Sequence, residues 1–382
     1  MLFSSEAVSA GHPDKVCDKI ADYILDAYLR QDPLSHVACE VTATKNLILV
    51  TGEVSSSGNV DVEQSVKNVL KDIGYEYWYE DENIEILNKM GKQSLQICNA
   101  VGSGEQVAAG DQGIMFGYAC NDVTTNYMPL AHALSFELIN AIQSDIDEGI
   151  SSAYCSKSAT FPQIVAWNSI FKPDFKTQVT VDDADGTIDA ILISACHKDS
   201  LDFQPLNLLD GIRNYVFENI VRPFKEKHKE KFTEKTKYYI NPAGVWTDGG
   251  FFFDTGLSGR KIVVDNYGGY APVGGGSFSG KDPSKVDRSA AYFARYLAKN
   301  IVVSRGCKEC LIQMAFGIGL VQPISVCAKI DGKECDLTNE FKDIDMSVTG
   351  IINGLNLRNP IYYETASGGH FGRDGFSWER IQ

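Results

Sequence analysis

The sequence has no apolar run close to the roughly 20 residues that a membrane helix needs, and Met1-Leu2-Phe3-Ser4 lacks the basic start of a signal peptide. Positive charge is scarce, since 35 lysines and arginines face 50 aspartates and glutamates, a formal net charge of −15. These deficits argue against a membrane protein and against nucleic acid as a partner. They predict a cytoplasmic protein whose local groups of cations bind a specific anion.

Complete metal-binding and disulfide patterns are missing too, although the chain has ten cysteines. Most cysteines stand alone in apolar segments, as is typical of reduced, buried thiols. Cys307-x-x-Cys310 is half of a metal or redox motif, and no second pair or histidine cluster completes it. We therefore predict an inert pair of surface thiols at this place.

The order of predicted elements indicates an α+β protein. With 382 residues, 44% of them hydrophobic, the chain is long enough for two to three domains. Strand pairs followed by helices recur near 37–75, 177–224 and 309–354, which favours three similar units. In the second unit we expect Val179 and Val181 to face Ile188, Ala190 and Leu192 across a hairpin, and the basic run Lys225 to Lys237 to be a solvated linker.

Two helices have clear limits in the sequence. Pro13 predicts the start of one helix and Asp32-Pro33 its end, while Met128 to Ile146 is helical by period, with Gly149 placed to stop it. Asp14 stands in the first turn of the first helix. It favours the helix dipole there, and it is equally suited to bind a magnesium ion.

The most informative stretch is Gly274 to Tyr292, which reads GGGSFSGKDPSKVDRSAAY. Its glycines allow a close approach of backbone to ligand, and Asp282-Pro283 predicts an N-cap and the first turn of a helix. Lys281, Lys285 and Arg288 would then lie at the mouth and on one face of that helix. This arrangement favours a polyphosphate site, and the alternative is a tight turn before an ordinary helix.

The same stretch comes close to a P-loop. Gly275 to Lys281 fits G-x-x-x-x-G-K, but Asp282 stands where a P-loop has Ser or Thr. The preceding segment, 266–273, is polar and rich in glycine, so no buried strand leads into the loop. Because no nucleophile–base motif stands out either, the pattern predicts a polyphosphate site without a proton-abstracting base.

Four motifs in register carry a family resemblance. They are GHPDK at 11–15, AGDQG at 109–113, GLSGRK at 256–261 and the glycine–lysine stretch. Together they resemble the S-adenosylmethionine synthetases, over essentially the whole chain through HFGR at 370–373. The resemblance implies three structurally similar α/β domains in a pseudo-threefold arrangement, at 1–100, 105–234 and 237–376, with a mobile active-site loop at 93–110. It also implies a homodimer or homotetramer with active sites between subunits.

The implied reaction joins ATP and L-methionine into S-adenosylmethionine and cleaves the released tripolyphosphate to diphosphate and phosphate. By the resemblance, Mg²⁺ (two ions) and K⁺ are the cofactors. Asp14 is a magnesium ligand, Asp287 lies in the magnesium region and Glu40 belongs to the potassium site, although a glutamate in a strand is ordinarily just solvated. The implied catalytic residues are His12, Lys176, Arg260 and Lys281; the ATP-binding set is His12, Asp174, Lys176, Val245, Trp246, Asp254, Arg260, Lys261, Ser277, Lys281 and Ile318; and the methionine-binding set is Glu53, Gln93, Asp111, Asp254 and Lys285.

Some positions depart from the family pattern. Val245-Trp246 stand in place of Arg-Phe, and Trp246 keeps a stacking face for adenine. Phe253 and Ala108 replace glycines, Phe136-Glu137 replace His-Arg, and Cys196 replaces glutamine. None belongs to the phosphate-binding set, so we expect an active enzyme. The alternatives are an NTPase that releases ADP and a non-catalytic paralogue.

Overall fold

A computed structural model gives the fold, which is described for residues 1–75, 83–94, 101–102, 107–157, 169–199, 207–337 and 341–382. Helices α1 to α9 span Pro13–Gln31, Val62–Asp72, Leu130–Lys157, Leu208–Val216, Arg222–Lys227, Ile262–Asp265, Val286–Arg305, Val348–Gly354 and Tyr362–Thr365. Strands β1 to β12 span Leu2–Val8, His36–Thr44, Leu47–Ser55, Glu85–Lys92, Gly113–Cys120, Phe171–Asp182, Ile188–His197, Phe232–Ile240, Gly256–Leu257, Glu309–Phe316, Ser325–Ile330 and Lys333–Cys335.

The strands form three four-stranded sheets with a shared plan: β4-β3-β2-β9, β1-β6-β7-β8 and β12-β11-β10-β5. Each sheet is built around an antiparallel hairpin of consecutive strands, namely β2-β3, β6-β7 or β10-β11. The fourth strand of each sheet pairs antiparallel with the first hairpin strand, and it comes from elsewhere in the chain. The mixture of helices and sheets is the predicted α+β fold.

These added strands link the N-terminal, central and C-terminal parts of the chain, because each part gives one strand to the sheet of the next. Strand β1, from the start of the chain, joins the second sheet, β5 joins the third sheet, and the short β9 joins the first. No sheet is therefore made by one segment alone. The boundaries at 1–100, 105–234 and 237–376 stay a prediction, because sheets that exchange strands do not define them.

Helices cover the sheets through their apolar faces. Helix α1 packs on β2, α3 on β1 and β6, and α7 on β5 and β10. One buried cluster joins the first and third sheets with α1 and α7, and a second cluster fills the space between the second sheet and α3. Val16, Ile20, Ile24 and Tyr28 recur at helical spacing on α1, and all four are buried.

Several local predictions are wrong for identifiable reasons. Helix α3 continues through Gly149 to Lys157, because a glycine lowers helix propensity without preventing the helix. On β7 the buried residues are Ile188, Ile191 and Ile193, and not Ala190 and Leu192 as predicted. The β6–β7 register shifts by one residue near Thr180, so the two faces of β7 exchange beyond that point.

Two further predictions, on the basic run and on the cysteine pair, differ from the structure. The basic run 225–237 is not a linker, since it contains the end of α5 and the first half of β8, which pairs parallel with β7. Cys307 and Cys310 are buried, and burial raises the pKa of the Cys310 thiol to about 12. A raised pKa disfavours the reactive thiolate form, but the two thiols do not lie on the surface, contrary to the prediction.

No helix among the described residues has both the length and the apolar character needed to cross a membrane. Much of the predicted loop at 93–110 lies outside the described residues. The described end of that loop, Val107 to Gly110, is held by Thr349, Leu320 and Ser284 through backbone hydrogen bonds.

Candidate active site

Helix α1 carries four aspartates, Asp14, Asp18, Asp22 and Asp26, at a spacing of four residues. This spacing places them along one face of the helix, and all four are buried. Each accepts at least one backbone N–H from the last third of the chain, at distances of 2.8–3.1 Å. The donors are Leu257 to Asp14, Gly259 to Asp18, Gly280 to Asp22, and both Tyr362 and Tyr363 to Asp26. The row therefore fixes three separate segments of the last third of the chain to α1.

At the start of this row, Asp14 meets two cations. Its Oδ2 lies 2.5 Å from Lys261 Nζ and its Oδ1 lies 3.4 Å from Arg260 Nε. Burial opposes ionisation of Asp14, but the bonds from Lys261 and from the Leu257 N–H outweigh it and lower its pKa. Asp14 is thus a carboxylate at neutral pH, with Arg260 half exposed above it.

His12 caps the same helix. Its Nδ1 accepts the Asp14 N–H at 3.2 Å, which requires that this nitrogen carry no proton. Burial and the nearby charge of Lys261 lower the His12 pKa to about 3, so the ring is neutral at physiological pH. A neutral His12 can donate a hydrogen bond from Nε2, and it is not a ready-made cation for a phosphate.

Asp174 and Lys176 lie on β6 next to this helix start. Asp174 Oδ2 accepts the Gly250 N–H at 2.8 Å, while its buried Oδ1 has no hydrogen-bond partner in the described part of the chain. Burial raises the Asp174 pKa to about 6. The Gly250 N–H and the charge of Lys176 lower this pKa, and the nearby carboxylates of Asp254 and Asp14 raise it. We call His12, Asp14, Asp174, Lys176, Arg260 and Lys261 the Asp14 group.

The glycine stretch lies against the edge of β2 and builds a second group. Lys281 forms an isolated antiparallel bridge with Ala38, and its Nζ lies 2.6 Å from Asp287 Oδ2. A Cβ on Gly276 would stand 2.2 Å from the Asp287 carboxylate, so only glycine fits there. A Cβ on Gly110 would stand 3.8 Å from Lys285 Cδ and one on Gly113 would stand 3.2 Å from Asp287 Oδ1, so the short segment that contains the exposed Asp111 passes close to this stretch. We call Lys281, Lys285, Asp287 and Asp111 the Lys281 group.

Asp282 does not cap the helix, contrary to the prediction. Helix α7 begins at Val286 with Lys285 as its N-cap residue. The Asp282 carboxylate accepts the N–H groups of Val37 and Ser284 and forms an ion pair with Lys285. It therefore fastens the stretch to β2, and a capping pattern read from neighbours alone could not reveal this long-range bond.

Arg288 is also misplaced by the sequence prediction. It is fully buried and forms an ion pair with Asp22, so it does not lie on the anion-binding face. The P-loop alternative fails on geometry as well, because Lys281 precedes α7 by five residues and a bridge residue of β2 holds it. Lys281 and Lys285 are the half-buried cations of this stretch.

The remaining predicted residues lie around these groups. Glu40 Oε2 accepts a hydrogen bond from the Ser258 hydroxyl at 2.7 Å. Ser277 packs close to Gly259, where a Cβ would stand 2.8 Å from the Ser277 side chain. Glu53 lies on β3, opposite Ala38 of β2. The Gln93 N–H donates to the carbonyl of Val54, the residue after Glu53. Asp254 is exposed just before β9.

The two residues predicted to sandwich adenine lie at different places. Trp246 is fixed to His197 on β7 by two hydrogen bonds through its backbone, next to the exposed Val245. Ile318 is exposed beside Gly319, whose N–H bonds to the Ala109 carbonyl. Within the described residues, no hydrogen bond or ring contact joins these two places.

Three models of one family match consecutive parts of the chain. They are the N-terminal domain of S-adenosylmethionine synthetase over residues 1–95, the central domain over 106–246 and the C-terminal domain over 248–380. The chain belongs to the S-adenosylmethionine synthetase family. It is also 41% identical, over 396 aligned residues, to an S-adenosylmethionine synthase of Treponema denticola, with 99% of this chain and 95% of that protein covered.

The departures from the S-adenosylmethionine synthetase pattern are accommodated by local contacts. Glu137 forms an ion pair with Lys227 and a hydrogen bond with His228 Nε2, both at 2.9 Å, and Phe136 packs edge-on against His132. Cys196 is buried behind Gly249, where a Cβ would stand 2.8 Å from its sulfur. Phe253 is 61% exposed.

Metal binding is a property of the S-adenosylmethionine synthetase family. Among the described residues no three Asp, Glu, His or Cys side chains gather into a complete metal site. Magnesium does not require one, since it uses one or two carboxylates and completes its shell with water and substrate phosphate. Asp14 and Asp287 each offer a carboxylate beside a lysine, so the donors fit a metal that binds together with a polyphosphate.

Proposed function

We propose that this chain transfers the adenosyl group of ATP to the sulfur of L-methionine, and that it hydrolyses the released tripolyphosphate to diphosphate and phosphate. One observation carries the proposal. In a chain of net charge −15, five cations lie in two groups beside three carboxylates. Arg260 and Lys261 pair with Asp14, with Lys176 close by. At the glycine-rich stretch Lys281 pairs with Asp287 and Lys285 with Asp282.

The chemistry suits a site without a general base. The attacking thioether sulfur has no proton to lose, and the difficulty lies in the leaving group, whose negative charge grows as the C5′–O bond breaks. Cations and oriented N–H groups that are already in place stabilise such charge without reorganisation. His12 is neutral under these conditions and contributes a hydrogen bond to the triphosphate, while Arg260, Lys261, Lys176 and Lys281 contribute charge.

The proposed ligand positions are those that the family resemblance implies. ATP contacts the Asp14 group, with adenine against Trp246 and Ile318 and with Val245, Asp254 and Ser277 near it. Methionine contacts Glu53, Gln93, Asp111, Asp254 and Lys285. Asp14 and Asp287 would hold Mg²⁺, which would neutralise part of the charge of the polyphosphate, and Glu40 would hold K⁺.

We also propose that two copies of the chain complete each site. The separation of Trp246 from Ile318 supports this, as do the exposed apolar side chains of Val245, Phe253 and Ile318, which a partner would cover. A homodimer or homotetramer in the cytoplasm remains our expectation. Sedimentation equilibrium tests it, and a monomer that is fully active would contradict it.

Product analysis tests the function directly. The protein is incubated with ATP, L-methionine, Mg²⁺ and K⁺, and the products are separated by mass and by phosphate content. We expect S-adenosylmethionine, diphosphate and phosphate, formed only when methionine is present. Methionine-independent ADP would contradict the proposal in favour of an NTPase, and a folded, ATP-binding protein without turnover would indicate a non-catalytic paralogue.

A further inference from the structure

Asp22 and Arg288 form a bidentate ion pair in the interior, between α1 and α7. Arg288 Nη1 donates to Asp22 Oδ1 at 2.7 Å and Nη2 donates to Oδ2 at 2.8 Å, and both side chains have zero exposure. Removing two charges from water is costly, and a hydrophobic pair of the same size often stabilises a protein as well. A role other than stability is therefore worth seeking in the other bonds of this pair.

Arg288 also donates to the hydroxyls of Tyr292 and Thr365, and two further bonds of the pair lead to the backbone at Gly280 and Lys281. Asp22 Oδ1 accepts the Gly280 N–H at 2.8 Å, and Arg288 Nη1 donates to the Lys281 carbonyl at 3.2 Å. Gly280 has a φ of +78°, and a Cβ there would stand 1.9 Å from the Cys39 carbonyl oxygen. The chain entering Lys281 is thus fixed in a conformation that only glycine allows.

The ammonium of Lys281 is fixed from the same helix. It contacts Asp287, the residue just before Arg288 in the first turn of α7. The first turn of α7 therefore positions both the backbone of Lys281, through Arg288, and its charge, through Asp287. A small shift of Arg288 would move the lysine relative to the rest of the site.

We propose that Asp22 and Arg288 are positioning residues that hold Lys281 at the distance from the polyphosphate at which it stabilises the leaving group. This inference rests on the proposed function, because Lys281 must contact the anion. Neither residue touches substrate. Since a misplacement of about 1 Å can cost about a hundredfold in rate, the pair acts on catalysis through Lys281.

Helix α7 supplies a matched control two turns further on. Arg295 is also fully buried and binds both carboxylate oxygens of Glu379 at 2.9–3.0 Å. Its other bonds go to the carbonyls of Tyr118, Tyr127 and Asn126, away from Lys281. Arg288→Lys and Arg295→Lys therefore make the same chemical change in similar surroundings.

The test compares these variants by kcat, by KM for ATP and by the affinity for inorganic tripolyphosphate with Mg²⁺. We expect both variants to melt earlier. Arg288→Lys should lose about ten- to a hundredfold in kcat and in tripolyphosphate affinity, while Arg295→Lys changes both by less than about twofold. In a double variant with Lys281→Ala, the Arg288→Lys loss should disappear, because both changes act on one contact.

Losses of equal size in both variants, no loss in Arg288→Lys, or losses that multiply in the double variant would overturn the inference. If Arg288→Lys does not fold, Asp22→Glu keeps the charge, displaces the carboxylate by one methylene group and is measured in the same way. If the wild-type protein makes no S-adenosylmethionine, the proposed function is wrong, and tripolyphosphate binding alone then decides the positioning role.

Discussion

Asp14 and Lys261 lie 2.5 Å apart across 247 residues of chain, and the carboxylate also draws in Arg260. Asp14 also accepts the N–H of Leu257, the last residue of the short Gly256–Leu257 strand, which holds the segment before Arg260 and Lys261 next to α1. One buried carboxylate thus organises two cations, and it remains available to a metal that arrives with phosphate.

Asp14→Asn keeps the shape of the side chain and its bond to Leu257 but removes its charge. We expect kcat to fall about a hundredfold and the Mg²⁺ concentration for half activation to rise. The free energy of unfolding should fall by only about 1–2 kcal/mol, because Lys261 can reorient towards solvent. Glu218→Gln, in the exposed Arg222 pair, is the control and should leave all three quantities unchanged. Normal Mg²⁺ activation of the Asp14→Asn protein would argue against a metal at this carboxylate.

Lys281→Ala removes the cation of the glycine stretch. The rate should fall by about a hundred- to a thousandfold, while the melting temperature changes by only a few degrees, because the Lys281 side chain is partly exposed. Lys67→Ala breaks an exposed pair with Glu63 and should affect neither. An unchanged rate with a lowered melting temperature would contradict the role of Lys281 in anion binding.

Trp246→Ala tests the stacking face for adenine. Stacking of a base on an aromatic ring contributes about 1–3 kcal/mol, so KM for ATP should rise about tenfold or more, with KM for methionine unchanged. Trp246→Phe should restore most of the affinity, since the backbone bonds to His197 persist. Equal affinities for ATP in the wild-type protein and the Ala variant would place adenine elsewhere.

Folding stability should depend on pH through His132. This buried ring bonds to Ser5, and burial lowers its pKa to about 4. Because the unfolded state binds a proton at about pH 6.5 and the folded state does not, stability is lost as pH falls from 6.5 to about 4. His132→Gln should show a loss between pH 7 and pH 5 that is about 2 kcal/mol smaller than in wild type. Denaturant titrations at both pH values check this, and identical losses would show that folding does not change the pKa of His132, contrary to the expectation.

The sequence predicted those features that depend on near neighbours in the chain. Pro13 and the Asp32-Pro33 pair set the limits of α1, and the alternating apolar residues of β2 and β3 identified a strand pair. The cations of the site were found because motif resemblance carries them residue by residue. These parts depend on local propensity or on family pattern.

What the sequence left out depends on distant contacts. The spacing of Asp18, Asp22 and Asp26 was visible, but their N–H partners lie 241 to 337 residues further along the chain. Asp282 has a capping sequence around it, yet the Val37 N–H binds its carboxylate from another segment. Arg288 looked like a surface cation because its partner, Asp22, cannot be identified from neighbours on α7.

The central claim is that the cations hold a leaving group. It is tested most directly with ATP that carries ¹⁸O at the oxygen bridging C5′ and the α-phosphorus. If sulfur attacks C5′, the C5′–O bond breaks, and mass spectrometry should find all of the label in the polyphosphate products and none in S-adenosylmethionine. Label retained in an adenine-containing product such as ADP would mean that a phosphoryl group is transferred, and would contradict the account.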